Sequence, residues 1–316
     1  MNNECMDRLD AMRVFTRIVE LGSFTKAAAD LRLPRATVTL AVQQLEARLG
    51  ARLLHRTTRE VSVTAEGQRF HGACTRLLSD LESAEAELAP GGDKPRGTVR
   101  VHMVGTMAAR IVIPALPEFH ERYPQVDVEV GTGDRLVDLA KEGVDCALRG
   151  GGVDMPGLVV RRLTPMPQVT CASAAYLARR GEPRSLEALE THHAVNYLER
   201  ATGKPYALDF LVRGELRCVA LPGRLTVTDS EAYLAGCLAH FGLIQVPAYG
   251  IAHHLAEGRL REVLAQARPP AHPLHLVHPY QRKVPPRVRV FMDWLVALFG
   301  RHFGANSPGQ GVDRQP

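Results

Sequence analysis

The residues best suited to chemistry sit in one short stretch: Arg35, Thr37, Thr39, Leu40, Gln43 and Gln44. They follow Pro34 at helical spacing and face away from an apolar stripe of Val38, Val42, Leu45 and Leu49. One arginine, short hydroxyls and amides suit base edges and phosphates, and a methyl-bearing side chain suits the methyl group of thymine. A merely solvated helix would usually carry glutamate and lysine there. The chemistry suggested is recognition rather than bond-making. Catalytic signatures are missing: there is no G-x-S-x-G and no H-E-x-x-H, and Gly131-Thr132-Gly133 leads into Asp-Arg-Leu rather than a dinucleotide fingerprint. The 13 histidines include His192-His193 and His253-His254, but neither pair has a carboxylate or cysteine at metal-ligand spacing. No enzyme activity, metal or cofactor is expected.

The elements that must position these residues are helices joined by a tight turn. Leu9, Met12, Val14, Phe15, Ile18, Val19 and Leu21 predict a first amphipathic helix that Gly22 stops. Ser23 stands where an N-cap belongs, and Phe24, Ala27, Ala28 and Leu31 mark a second apolar face. Proline inside a helix costs roughly 3 kcal/mol, so Pro34 opens a third helix rather than interrupting the second. Gly50 ends it. His55-Arg56-Thr57-Thr58-Arg59 and the alternating Val61-Ser62-Val63-Thr64 then read as a basic hairpin, or wing. From 8 to 59 there are ten Lys+Arg and four Asp+Glu, a difference of +6 that exceeds the +5 of the whole chain. From 60 to 89 two basic residues face six acids, giving −4. A basic module followed by an acidic one suggests that the first touches phosphate.

Between 64 and 89, Phe70, Cys74, Leu77, Leu81, Ala84 and Leu88 fall in steps of four and three, the spacing of a coiled-coil seam. Such a narrow stripe predicts a linker helix that dimerises the chain. PGGDKPRG, at 90–97, is the hinge. Beyond it, apolar strands alternate with helical segments, among them a helix expected over 134–142, which argues an α/β domain with mostly parallel sheet. Residues 302–316 read as a disordered tail. Six scattered cysteines without C-x-x-C spacing, no leader-like N-terminus and no long apolar run predict a cytoplasmic protein without membrane contact.

The stretch from Met6 to Gly67 resembles the N-terminal domain of LysR-type transcriptional regulators. It carries Gly22-Ser23-Phe24, the Ala27-Ala28 pair, Leu45-Glu46, Leu49-Gly50, Leu54-His55-Arg56 and Thr64-Ala65-Glu66-Gly67. "IPALPEFHERYP" and "VDCALRGG" extend the likeness over nearly the whole chain. The resemblance implies an α + α/β protein: a winged helix-turn-helix (1–63), a linker dimerisation helix (64–89), the hinge, and a two-lobed effector domain of periplasmic-binding-protein type (98–301). Lobe I would take about 98–164 and 273–301, and lobe II about 168–267, with crossings at the prolines 165, 167, 269, 270 and 273. It places Arg35, Thr37 and Thr39 at base or phosphate contacts and Thr25 and Arg56 at backbone contacts; with Ser23, Leu40, Gln43 and Arg59, read from their residue types and positions, these are expected to face double-stranded DNA. Pro34 departs from a capping serine common in the family, and Leu40 from an arginine or glutamine. The resemblance also implies homodimers, homotetramers and a small effector between the lobes, and leaves contact with RNA polymerase open.

Effector candidates are strand ends and helix starts: Thr106, Arg149, Thr228 and Ser230. An arginine at a strand's end makes a carboxylate fork, so an anionic organic acid is expected. The alternatives are that Thr106 and Ser230 are only caps and that Arg149 pairs with an acid such as Asp154. The rival for the whole chain is a solute-binding protein without a regulatory role, against which the basic winged module and the missing leader speak.

Overall fold

The computed structural model describes residues 7–56, 61–88, 95–152, 157–199, 202–280 and 284–304, with backbone alone at 56, 79, 80 and 82–88. Arg59, Asp154 and residues 305–316 of the expected tail lie outside the described residues, while 302–304, counted with that tail, are helical. Three helices open the chain: α1 (Arg8–Leu21), α2 (Phe24–Asp30) and α3 (Arg35–Leu49). Gly22 and Gly50 end α1 and α3 at φ 60° and 63°, a conformation in which a Cβ is unfavourable. The Ser23 hydroxyl caps α2 by accepting from the Lys26 N–H at 3.3 Å. Arg32 turns the chain at φ 55°, and α3 starts directly after Pro34. Phe15, Ile18, Ala27, Val38, Val42 and Leu45 close the core between them. Each large apolar side chain buried there is worth about 1.5–3 kcal/mol.

The wing is an antiparallel pair, β1 (Leu54–Arg56) and β2 (Val61–Val63), in which Leu54 faces Val63. Helix α4 (Ala65–Leu88) follows at once. Its first turn is fixed by Thr64, whose hydroxyl donates to the Arg52 carbonyl at 2.7 Å and accepts from the Gly67 N–H at 2.9 Å. Here the expected seam needs correction. Phe70 packs its ring 5.7 Å from that of Phe15, and Cys74 is fully buried in the core of the same chain's DNA-binding module. The first turns of α4 cover the open side of α1, so these two residues are not offered to a second chain. Leu77 stays 52% exposed and Leu81 is partly buried, whereas the side chains of Ala84 and Leu88 are outside the description. Gly72 lies so close to the C-terminal module that a Cβ would stand 1.8 Å from the Lys141 carbonyl oxygen.

The rest of the chain forms two lobes. In the first run β3 (Gly97–Met103), α5 (Gly105–Met107), a π turn at Ala108–Val112, α6 (Ile113–Arg122), β4 (Val126–Thr132), α7 (Leu139–Glu142), β5 (Cys146–Gly150) and β6 (Leu158–Arg162). The second holds β7 (Gln168–Ser173), α8 (Ala174–Arg180), β8 (Val195–Tyr197), β9 (Leu208–Val212), β10 (Glu215–Val219), β11 (Leu225–Val227), α9 (Ser230–Leu238), β12 (Ile244–Pro247), α10 (Ala248–Ala256) and β13 (Leu260–Val263). The chain then returns to the first lobe as β14 (Leu274–Pro279) and α11 (Pro286–Gly304). Where it crosses, Met166 and His272 exchange two backbone hydrogen bonds of 2.8 and 2.7 Å.

The first sheet has the order β4-β3-β5-β14-β6. Its β3, β4 and β5 are parallel, but β14 runs antiparallel to both neighbours because it arrives from the other lobe. The second lobe centres on an antiparallel β12-β7-β13 sheet beside a parallel β8-β11 pair. The sheets are thus mixed rather than mostly parallel. The helix expected over 134–142 shrinks to Leu139–Glu142, because the Asp138 carboxylate caps it by accepting from the Lys141 N–H at 3.1 Å. The strand stretches read from the sequence, 98–104, 126–130, 144–148, 158–163, 168–172, 193–197, 224–228, 242–246 and 274–278, do not include β9, β10 and β13.

The junction of wing and linker helix gives a test. A Cβ on Gly67 would lie 2.0 Å from the Leu53 carbonyl oxygen, while one on Gly300, in α11, would meet nothing within 4 Å. Gly67→Ala should lower stability by about 2 kcal/mol or more through forced displacement. Gly300→Ala should raise it by roughly 0.5–1 kcal/mol through the helix preference of alanine. Urea unfolding of both variants checks the pair; equal effects would contradict the close approach at Gly67.

Candidate nucleic-acid interface and effector cleft

The outer face of the helix-turn-helix is built from α2 and α3. Thr25, Lys26, Arg35, Leu40, Gln43 and Gln44 are exposed there, and Thr37 and Thr39 are half-buried. The Thr39 hydroxyl donates to the Arg35 carbonyl at 2.9 Å, so it turns its proton back onto the helix and keeps only acceptor capacity and a methyl group. The Ser23 oxygen is likewise occupied by its capping bond. Arg56 lies on β1 of the wing, and Arg59 is outside the described residues. Pro34 supplies no side-chain cap to α3, at the end where helix partial positive charge collects. One organising residue had no chemical reading from the sequence. The Glu46 carboxylate accepts from the N–H groups of Leu53 and Leu54 at 2.9 and 3.2 Å, locking the wing to the helix it flanks.

A second site forms where the carboxyl ends of β3, β4 and β5 meet the other lobe. Arg149 is only 6% exposed, and one guanidinium nitrogen, Nη1, lies 2.9 Å from His102 Nδ1. Arginine only donates, so Nδ1 accepts and the ring proton of His102 belongs on Nε2. Burial first, then the charge of Arg149, holds His102 below the usual histidine range and keeps it neutral. The other nitrogen, Nη2, is buried with no hydrogen-bond partner among the described residues.

Asp134, two residues beyond β4, joins the lobes. Its Oδ2 lies 3.0 Å from the Tyr197 hydroxyl, which also lies 3.3 Å from the Thr228 carbonyl, and it accepts the backbone N–H of Ser230. The start of α9 is capped by Asp229, which accepts from the Ala232 N–H at 2.9 Å. Ser230 is therefore not the cap, and its N–H, expected to be open to a ligand, is already held by Asp134. Thr106 stands beside Tyr249 across the cleft, and Arg110 reaches His253 at 3.0 Å. The four effector candidates do converge on one cleft. His102, Asp134, Tyr197 and Tyr249 complete it. The Gly131-Thr132-Gly133 run that ends β4 ahead of Asp134 was a signal of close approach; His102 gave none.

A basic, exposed reading helix on a winged module and a buried arginine between two lobes occur here in one chain. Comparison with known proteins decides what that combination is. Residues 92–300 match the LysR substrate binding domain, and residues 9–68 match the bacterial regulatory helix-turn-helix protein of the lysR family. The chain belongs to the LysR family of transcriptional regulators. It is 34% identical over 293 residues to the uncharacterized HTH-type transcriptional regulator YhjC of Escherichia coli, spanning 93% of this chain and 98% of that one. It is 33% identical to an HTH-type transcriptional repressor of Pseudomonas aeruginosa, over 94% of each chain. The solved structure of CrgA, a LysR-type transcriptional regulator from Neisseria meningitidis, aligns at TM-score 0.57 and 31% identity, covering 92% and 98% of the two chains.

LysR regulators bind DNA and small-molecule effectors, and this chain carries both the helix-turn-helix and the substrate-binding domain of the family. No described helix is long and apolar enough to cross a membrane. Burial is also the first cause holding His71, His192, His254 and His272 below the usual histidine value. With folded values below 6.5, the unfolded chain takes up these protons first as pH falls. Stability from the neutral histidines is therefore complete above about pH 6.5 and declines below it. His102→Asn retains an acceptor toward Arg149 and removes the titration. Between pH 6.5 and 5 its acid-side loss of stability should be shallower than that of the unaltered chain, by up to about 1.4 kcal/mol per pH unit. Urea unfolding across that range measures the slopes; identical slopes would refute a neutral, buried His102.

Proposed function

We propose that this LysR-type regulator reads operator DNA with Arg35, Thr37, Leu40 and Gln43, and that a small organic acid, its carboxylate anion bound at Arg149, controls the outcome. Thr39 contributes its methyl group, and Ser23, Thr25, Arg56 and Arg59 hold phosphates. The observation that carries the effector reading is the buried Nη2 of Arg149, which has no hydrogen-bond partner among the described residues. A guanidinium cannot shed its charge, and a ligand carboxylate is the natural group to complete it. Dimerisation falls to the face of α4 turned away from the DNA-binding core, where Leu77 is exposed.

The segment after β4 supplies the coupling. It begins at Asp134 in the cleft and ends at Lys141, whose carbonyl meets Gly72 of α4. Arg135 and Glu142 brace it with a double ion pair of 2.9 and 2.8 Å. A ligand that favours one setting of Asp134 thereby favours one setting of the linker helix, by no more than its differential affinity for the two.

Two experiments test this. On duplexes recovered by genomic selection, Arg35→Ala should weaken specific binding by about 1–3 kcal/mol and leave scrambled DNA little changed, whereas Arg56→Ala should weaken both and flatten the salt dependence. Identical behaviour of the two variants would refute the division into reader and positioner. For the effector, organic acids that raise the melting temperature of the full chain should lose about tenfold or more in affinity in Arg149→Ala and Arg149→Lys, since lysine keeps the charge but not the fork. Arg135→Ala should retain acid binding and lose the acid's influence on DNA. Equal stabilisation of all Arg149 forms would show that arginine to be purely structural.

A further inference from the structure

Arg149 and Asp134 leave two complementary atoms unsatisfied in the same cleft. Nη2 is a donor and Oδ1 an acceptor; both are shut off from water and have no hydrogen-bond partner among the described residues. Each such atom costs about 1–3 kcal/mol, more where it is charged. The two groups act on each other electrostatically, Asp134 being the first influence that counters the burial of Arg149, yet they do not pair. Each is held from another side. Asp134 is fixed through Oδ2 by Tyr197 and Ser230, and Arg149 through Nη1 by His102.

Resting on the cleft reading above, we infer that the effector is zwitterionic: an α-amino acid or a similarly short amino carboxylate, with its carboxylate on Arg149 Nη2 and its ammonium on Asp134 Oδ1. Charge selects this class over its neighbours. A plain carboxylate entering beside Arg149 also meets Asp134, a like charge, and finds the start of α9 already neutralised by that same aspartate. A simple amine meets the mirror problem at Arg149. Only a ligand carrying both signs satisfies both atoms without adding net charge to a dry site. The α9 terminus is thus taken up by Oδ2, and Oδ1 is the part of Asp134 left for the ligand.

Matched ligand sets on the full-length protein test the inference. Thermal shift and calorimetry would compare the common L-amino acids with their des-amino acids, which lack the ammonium, and their carboxamides, which lack the carboxylate. At least one amino acid should bind about tenfold or more tightly than both of its analogues, as sites with buried polar groups reject ligands that leave them unpaired. Asp134→Asn should collapse the preference over the des-amino acid while leaving dependence on Arg149 intact. The ligand comparison on the unaltered chain stands by itself if that variant does not fold. Des-amino acids that bind through Arg149 as tightly as amino acids would overturn the zwitterion inference and leave the cleft reading standing. No response to any member of the set, with Arg149→Ala melting as the unaltered chain does, would overturn both.

Discussion

A permanent cation held away from water, with a neutral histidine as its side-chain partner, is the constraint around which the effector domain is arranged. Arg149 sits on β5 among side chains that are almost wholly buried. It cannot relieve its burial by losing a proton, so the groups around it must be acceptors or counter-charges. His102 meets the first need only while neutral. Its ring needs room, and Gly131 provides it: a Cβ there would stand 3.3 Å from the imidazole. Asp134 meets the second need at a distance, and its position in turn fixes Tyr197 and the start of α9. Closure of the lobes and burial of the arginine are therefore one electrostatic arrangement.

The DNA-binding module depends on a comparable economy of contacts. Glu46 on α3 holds Leu53 and Leu54, Thr64 holds Arg52 and Gly67, and the missing side chain at Gly67 lets α4 begin against the Leu53 carbonyl. Leu45-Glu46 and Thr64-Ala65-Glu66-Gly67, which carry the family likeness in the sequence, are thus the residues that set the angle between reading helix, wing and linker helix. None of them needs to touch DNA to matter for binding it.

What the sequence made legible was mostly local. Ser23, Pro34, Gly22 and Gly50 announce caps and stops within a few residues, so the helix-turn-helix could be read directly. Arg149 could be singled out because its place at the end of an apolar strand is also local information. Asp134 could not, since its partners Tyr197 and Ser230 lie 63 and 96 residues away. His102 and Arg149 are 47 residues apart, and nothing near His102 hints at the pairing. The first two positions of the stripe on α4 were misread for a different reason. Periodicity shows that Phe70 and Cys74 are buried but not against what, and what they meet is the side of α1 that carries Phe15.

The shortened helix at 134–142 shows how local and distant forces were balanced. Had the helix begun at Asp134, that carboxylate would have pointed along the helix surface instead of across the cleft. Asp138 takes over the capping role four residues later, and the stretch before it is free to reach Tyr197 and Ser230. The Arg135–Glu142 pair then ties the start of this stretch to the end of α7. Such a pair, exposed on the arginine side, adds little to stability by itself. Its consequence is geometric: while the pair is formed, the residue beside Asp134 and the residue beside Lys141 move together. Since the Lys141 carbonyl packs on Gly72, where no side chain cushions the contact, a shift at the cleft has a short, stiff path to the linker helix and requires neither lobe to refold.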